Sequence, residues 1–223
     1  MASTPPLRRA LLAGATGLVG RAMLPLLLRG HASVDLLLRR AAPELGADPR
    51  LRPRVVDFAK LPEAFPAVDD VFIALGTTIA VAGSQAAFRA VDFDAVVATA
   101  RAARAAGATR LALVSALGAD PGSRVFYNRV KGEAEAAIAA LGYESVAIAQ
   151  PSLLLGDREA LGQPSRRVEA LAMRFARPLS WIVPRGVRPI AVVDVAAALV
   201  AAIARGDPGV HRLASCDMQR AAG

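Results

Sequence analysis

Short runs of branched apolar residues alternate along this chain with longer Ala- and Leu-rich stretches whose apolar positions recur every three or four residues. The short runs are too brief for helices and predict buried strands near Ala10 to Ala13, Val34 to Leu38, Arg54 to Asp57, Val71 to Leu75, Leu111 to Val114 and Ser145 to Ala149. The longer stretches predict helices over Leu18 to Arg29, Ser84 to Ala106 and Asn128 to Leu141, the last two stopped by Gly107 and Gly142. Strands alternating with helices imply parallel pairing through right-handed crossovers. The expected class is α/β, a doubly wound parallel sheet.

After Pro151 the texture changes. Pro164, Pro178, Pro184 and Pro189 interrupt one predicted helix, Arg166 to Ala176, so residues 152–190 read as a small cap over the carboxyl ends of the strands. A final helix over Asp194 to Ala204 and a closing strand over Gly209 to Ala214 follow. Nothing resembles a linker, a repeat or a low-complexity tail. One domain over residues 1–223 is the expectation.

Composition narrows the class of function. A 54% hydrophobic content supports a substantial core. The net charge of +8 comes from arginines scattered in ones and twos, and aromatics are only 4% of residues. A nucleic-acid interface would need a denser basic tract and more stacking side chains, so no nucleic-acid partner is expected. Arg8 and Arg9 before an apolar run imitate a secretory signal, but Gly14, Gly17, Gly20 and Arg21 break that run and have another use. The most apolar segment, Ala191 to Ala204, is too short to span a bilayer and carries Asp194. Cys216 is the single cysteine, so no intramolecular disulfide is possible and a cytoplasmic location is expected.

The run Gly14-Ala15-Thr16-Gly17-Leu18-Val19-Gly20 lies between the first predicted strand and the first predicted helix. A diphosphate must approach backbone N–H groups at a helix N-terminus closely, and a β-carbon at the tight turn would obstruct it. Thr16 adds a possible hydroxyl donor. The end of the second strand is where an acidic residue would hydrogen-bond the ribose 2′-hydroxyl of NAD, and here it carries Arg39 and Arg40. Guanidinium groups there suit a 2′-phosphate, which points to NADP(H). Asp35 lies inside the strand, badly placed to serve as the ribose acid.

Tyr127 and Lys131 stand four apart at the start of a predicted helix and therefore share a face. Lys and Arg together number 27, yet Lys60 and Lys131 are the only lysines. A lysine that persists amid such an arginine bias suggests ammonium chemistry. A phenol exchanges protons poorly at neutrality unless a neighbouring cation stabilises its phenolate, a task for Lys131. Ser115 ends the fifth strand, where its hydroxyl could donate to a substrate carbonyl.

With these motifs in this order the chain resembles the short-chain dehydrogenase/reductases, and more narrowly the atypical branch of Tat-interacting oxidoreductase-like proteins. The matching stretches are Gly14 to Gly20, Leu38 to Arg40, Val55 to Phe58, Leu75 to Thr78, Phe88 to Asp92, Ser115 to Asp120 and Tyr127 to Glu133. The resemblance implies a Rossmann fold, with Asp57 and Phe58 beside the adenine and with Leu75, Gly76 and Thr77 along the adenosine ribose and diphosphate. It also implies a loop led by Pro151 past the nicotinamide. The Lys131 ammonium, by its own chemistry, could also hold the nicotinamide ribose. Two departures stand out. Many relatives carry a second serine where this chain has Ala116, and an Arg-Pro-Gly where it has Gln150-Pro151-Ser152.

The expected function is NADPH-dependent reduction of a small carbonyl compound by Tyr127, Lys131 and Ser115, in a monomer or homodimer. The alternative is a non-catalytic redox sensor in which the bound dinucleotide stabilises a surface for a protein partner. Nucleotide-sugar epimerisation is weaker, because the cap is short for a large substrate. His31 and His211 lack a metal-ligand pattern and read as surface or satisfied core residues. Trp181 reads as packing within the cap, with a pocket wall as the alternative.

Overall fold

The computed structural model describes residues 8–61, 65–155 and 189–221. Seven strands form one parallel sheet in the order β3-β2-β1-β4-β5-β6-β9. They are β1 (Arg8–Ala13), β2 (His31–Leu38), β3 (Leu51–Val55), β4 (Asp70–Ile73), β5 (Arg110–Val114), β6 (Ser145–Gln150) and β9 (Gly209–Ala214). A two-residue ribbon pairs β7 (Leu154–Leu155) with β8 (Ile190–Ala191), a pairing the hydrophobic pattern did not predict. The helices are α1 (Leu18–Gly30), α2 (Ile79–Ala82), α3 (Gln85–Arg89), α4 (Val96–Ala105), α5 (Phe126–Ala139), α6 (Val192–Arg205) and α7 (Ser215–Ala221). A π-helical segment, Ala90–Ala95, joins α3 to α4. The helix expected over Arg166 to Ala176, Trp181 and most of the proposed cap lie outside the described residues.

Period-two alternation sends successive β1 residues to opposite faces. Ala10 and Leu12 join a cluster with Met23 and Leu27 of α1 and Val195 and Leu199 of α6. Leu11 and Ala13 join the opposite cluster, with Val96 and Ala100 of α4 and Ile138 of α5. Both faces of the central strands are therefore covered, and each fully buried Leu or Ile contributes roughly 1.5–3 kcal/mol. The doubly wound arrangement follows, with the strand order reversing between β1 and β4. Ligands bind at such a point, outside the carboxyl ends of the strands.

The opposite ends of the strands are fastened by charge. Asp70, at the start of β4, is buried and meets Arg8 Nε at 2.9 Å and His31 Nε2 at 3.1 Å. The other ring nitrogen, Nδ1, lies 3.1 Å from the Leu27 carbonyl oxygen, so both ring nitrogens have a polar partner. His31 is thus a satisfied core residue. His211 bonds the Pro208 carbonyl at the surface. Burial pushes the Asp70 carboxyl up, but hydrogen bonds from His31 and Arg8 and the charges of Arg8 and Arg110 outweigh it, and the net shift is downward.

A folded-state value below the unfolded one gives stability that is complete at neutrality and lost as pH falls through the folded value. Asp70→Asn is therefore expected to cost about 3 kcal/mol at pH 7, measured by urea unfolding. The gap from the wild type should narrow below about pH 4. An unchanged gap on acidification would contradict this reading of the cluster.

Candidate functional site

The glycine loop leaves the carboxyl end of β1. Gly14 has φ 93°, and a β-carbon there would lie 2.4 Å from the Ala74 carbonyl oxygen at the end of β4. At Gly20 a β-carbon would lie 2.1 Å from the Gly14 oxygen, so the first turn of α1 packs directly on the loop. Gly17 differs, because its β-carbon would meet only the Gly14 oxygen, at 3.4 Å, and otherwise open space. The three glycines thus serve a left-handed turn, an approachable backbone and a close helix contact.

Ala15 and Val19 are buried beneath the loop, Leu18 is half-buried, and Thr16 is exposed at the tip. Helix α1 has no side-chain cap and no acidic residue in its first turn. Its leading N–H groups are left for a ligand, as a diphosphate requires.

Arg39 and Arg40 follow β2 directly and are exposed. Neither forms an ion pair or hydrogen bond with a described residue. Asp35 is buried and bonded to Arg54 Nε at 2.6 Å, so its carboxylate is engaged between β2 and β3. Asp57 is exposed and accepts the Ala59 N–H at 2.9 Å, shaping the turn after β3, while Phe58 packs against the core. Beyond β4, Leu75 and Thr77 are half-buried and Gly76 is exposed.

The loop after β4 is tied to the π-helical segment by the Thr77 N–H, which donates to Asp92 Oδ2 at 2.9 Å. Asp92 is fully buried, and its Oδ1 lies 2.7 Å from Lys131 Nζ on α5. That contact lacks the angles of a hydrogen bond, and Oδ1 has no other donor among the described residues. Four residues earlier on each helix, the Phe88 and Tyr127 rings meet at 5.3 Å between centroids. The two helices therefore join in two rungs, aromatic on aromatic and carboxylate on ammonium. The Tyr127 hydroxyl makes no hydrogen bond to a described residue.

Ser115 ends β5 as expected, but its hydroxyl donates inward to Glu135 Oε1 at 2.6 Å. Glu135, buried on α5, also accepts from Gln150 Nε2 at 2.9 Å and from Arg212 Nε of β9 at 2.9 Å. A hydrogen bond from Ser115 to a ligand requires exchange of that inward bond. Pro151 is buried, and its carbonyl accepts the Leu117 N–H at 2.9 Å, fixing the start of its loop against the one after β5.

Sequence reasoning assigned no role to Asp92, Glu135 or Gly132. Asp92 stands four residues after Phe88, as Lys131 stands four after Tyr127, and that shared spacing is the signal for the two rungs. Glu135 continues the Tyr127–Lys131 stripe by one more turn. At Gly132 a β-carbon would lie 2.2 Å from the Asp120 carbonyl carbon, so only glycine lets the loop after β5 lie against α5.

A parallel sheet reversing at β1, with an approachable glycine turn on a helix N-terminus, defines a dinucleotide-binding Rossmann protein. The chain belongs to the NAD(P)H-binding family, whose model matches residues 14–159, and to the atypical short-chain dehydrogenase/reductases within it. It is similar to the protein fmp52, mitochondrial, of Emericella nidulans, with 36% identity over 180 residues, covering 77% of this chain and 76% of the relative. It is also similar to the protein HTATIP2 of Rattus norvegicus, with 37% identity over 188 residues, covering 81% and 76%. A UDP-N-acetylglucosamine 4-epimerase from Methanobrevibacter ruminantium M1 shares the fold, with a TM-score of 0.69 at 15% identity, over 94% of this chain and 77% of that one.

These relatives correct one expectation. The fungal proteins are named mitochondrial, which overturns the cytoplasmic location inferred from the single cysteine. A single cysteine rules out an intramolecular disulfide and does not identify a compartment. No helix among the described residues is long and apolar enough to cross a membrane.

Proposed function

We propose that this chain is an NADP(H)-dependent oxidoreductase that reduces a small carbonyl compound, with Tyr127 as the proton donor. One observation carries the reading: the Tyr127 hydroxyl has no hydrogen-bond partner among the described residues and lies on the same face of α5 as a buried Lys131. The dinucleotide, when bound, supplies the hydride. Gly14 to Gly20 and the first turn of α1 hold the diphosphate, Arg39 and Arg40 the 2′-phosphate, and the loop through Leu75, Gly76 and Thr77 flanks the adenosine side. Asp57 and Phe58 border the adenine, and Pro151 leads the loop past the nicotinamide. Lys131 holds the nicotinamide ribose through ammonium protons that its contact with Asp92 leaves free. Tyr127 gives its proton to the carbonyl oxygen as the carbon is reduced, and the phenolate is reprotonated from solvent.

The unpaired state of Arg39 and Arg40 supports the choice of NADP(H), since no described carboxylate must be displaced for them to bind a phosphate. NADPH is expected to bind at least about tenfold more tightly than NADH, a difference of ~1.4 kcal/mol. Titration calorimetry tests this. Replacing both arginines by alanine should remove the preference and leave NADH affinity within about threefold; equal affinities in the wild type would overturn the assignment.

A second reading, a non-catalytic NADPH-dependent sensor, is favoured by a different observation. Ser115 is bonded inward to Glu135, and Ala116 has no hydroxyl to take its place. The mitochondrial names of the fungal relatives support a mitochondrial location under either reading.

A further inference from the structure

Gly76 is a glycine that the fold does not require. Its backbone lies outside the left-handed region, and a β-carbon there would meet nothing closer than 3.5 Å, an ordinary contact. Gly14 and Gly20 differ, because a side chain at either would strike backbone at 2.4 Å or less. What a side chain at residue 76 would meet is the buried ion pair, Asp92 Oδ1 at 3.5 Å and Lys131 Nζ at 3.7 Å. Gly76 is itself exposed, whereas Lys131 and Asp92 are 6% and 1% exposed. Solvent-facing backbone without a side chain thus lies against an ammonium and a carboxylate that are otherwise enclosed.

We propose that Gly76 is a binding residue for the nicotinamide ribose, left without a side chain so that this ribose can lie against it and reach Lys131. The proposal rests on the reading that Lys131 holds that ribose. It moves Gly76 away from the adenosine ribose and diphosphate, where the resemblance places it together with Leu75 and Thr77. Those two neighbours keep that side.

The Thr77 N–H donates to Asp92 Oδ2 at 2.9 Å, which ties the loop to the pair one residue beyond Gly76. The other carboxylate oxygen, Oδ1, is buried and accepts no hydrogen bond from a described residue, although it stands 2.7 Å from Lys131 Nζ. A buried acceptor in that state calls for a partner. A ligand arriving over Gly76 meets an ammonium, which can only donate, beside a carboxylate oxygen, which can only accept. A vicinal diol matches both, since one hydroxyl accepts from the ammonium while its neighbour donates to the carboxylate. In NADP(H) the adenosine ribose carries a phosphate on its 2′-oxygen, so the free diol is that of the nicotinamide ribose. A diphosphate would set negative charge beside Asp92 and is disfavoured there.

Titration calorimetry on the wild type and on Gly76→Ala tests this with two ligands, NADPH and 2′-phospho-ADP, which carries the adenosine half and no nicotinamide ribose. The added methyl is expected to weaken NADPH at least about tenfold and to leave 2′-phospho-ADP within about threefold. The melting temperature of the free variant, followed by circular dichroism, should be no lower than that of the wild type, because alanine suits the backbone there and restricts the unfolded chain.

Unchanged NADPH affinity overturns the proposal. An equal loss for both ligands also overturns it, by putting Gly76 on the adenosine half. So does a variant that fails to fold, since the glycine would then serve the fold. A wild type that binds neither ligand overturns the NADP(H) reading itself, whereas a wild type that binds both, with no difference between them in the variant, overturns only the role of Gly76.

Discussion

Tyr127→Phe is expected to bind NADPH within about threefold of the wild type and to lose at least ~10²-fold in carbonyl reduction, the usual scale for a general acid. The geometry makes this substitution unusually clean. The ring that packs on Phe88 is retained, and the hydroxyl that is removed has no hydrogen-bond partner among the described residues. No buried donor or acceptor is orphaned, so little stability should be lost. Any loss of rate then reports the missing proton. Initial rates from the nicotinamide absorbance, with calorimetric affinities on the same preparations, check both halves. A variant that turns over at the wild-type rate would remove Tyr127 from the chemistry.

Lys131→Ala is expected to damage affinity, rate and stability together. Lys131 is 6% exposed, and its removal leaves the Asp92 carboxylate buried without a counter-ion. Breaking a buried pair from one side typically costs about 3–5 kcal/mol, so urea unfolding should show a loss of that order. Adding Asp92→Asn to Lys131→Ala should recover most of the stability and none of the rate. The two effects of the lysine separate in that double variant. Full recovery of the rate would mean that the ammonium serves the fold and not the reaction.

Much of this architecture was legible because its signals are local. Alternation in apolar runs gives the strands, and the closing strand from Gly209 to Ala214 has the bounds its sequence predicts. The glycine loop was legible as well, since Gly14 and Gly20 answer backbone requirements that no other residue meets. The third strand was placed too late, at Arg54 to Asp57 instead of Leu51–Val55. Pro53 disguised it, and it tolerates a proline because β3 is an edge strand.

What the sequence concealed depends on contacts between distant segments. The helix expected over Ser84 to Ala106 is interrupted by a π-helical segment whose residue types do not announce it. The position of Ser115 was readable, but the direction of its hydroxyl was not. That direction is set by Glu135, which α5 supplies and Gln150 and Arg212 help to hold. Likewise Asp92 reads as one more acid on an Ala-rich helix until folding sets it against Lys131.

The central claim is that this site reduces carbonyl groups at the expense of NADPH, and one measurement addresses it directly. The purified full chain is incubated with NADPH and, separately, with each of a panel of small ketones, aldehydes and quinones, and the nicotinamide absorbance is followed. Consumption of NADPH with at least one member of the panel, at a rate proportional to protein and abolished in Tyr127→Phe, is the predicted result. Tight binding of NADPH with no consumption across the whole panel would contradict the claim and favour the sensor.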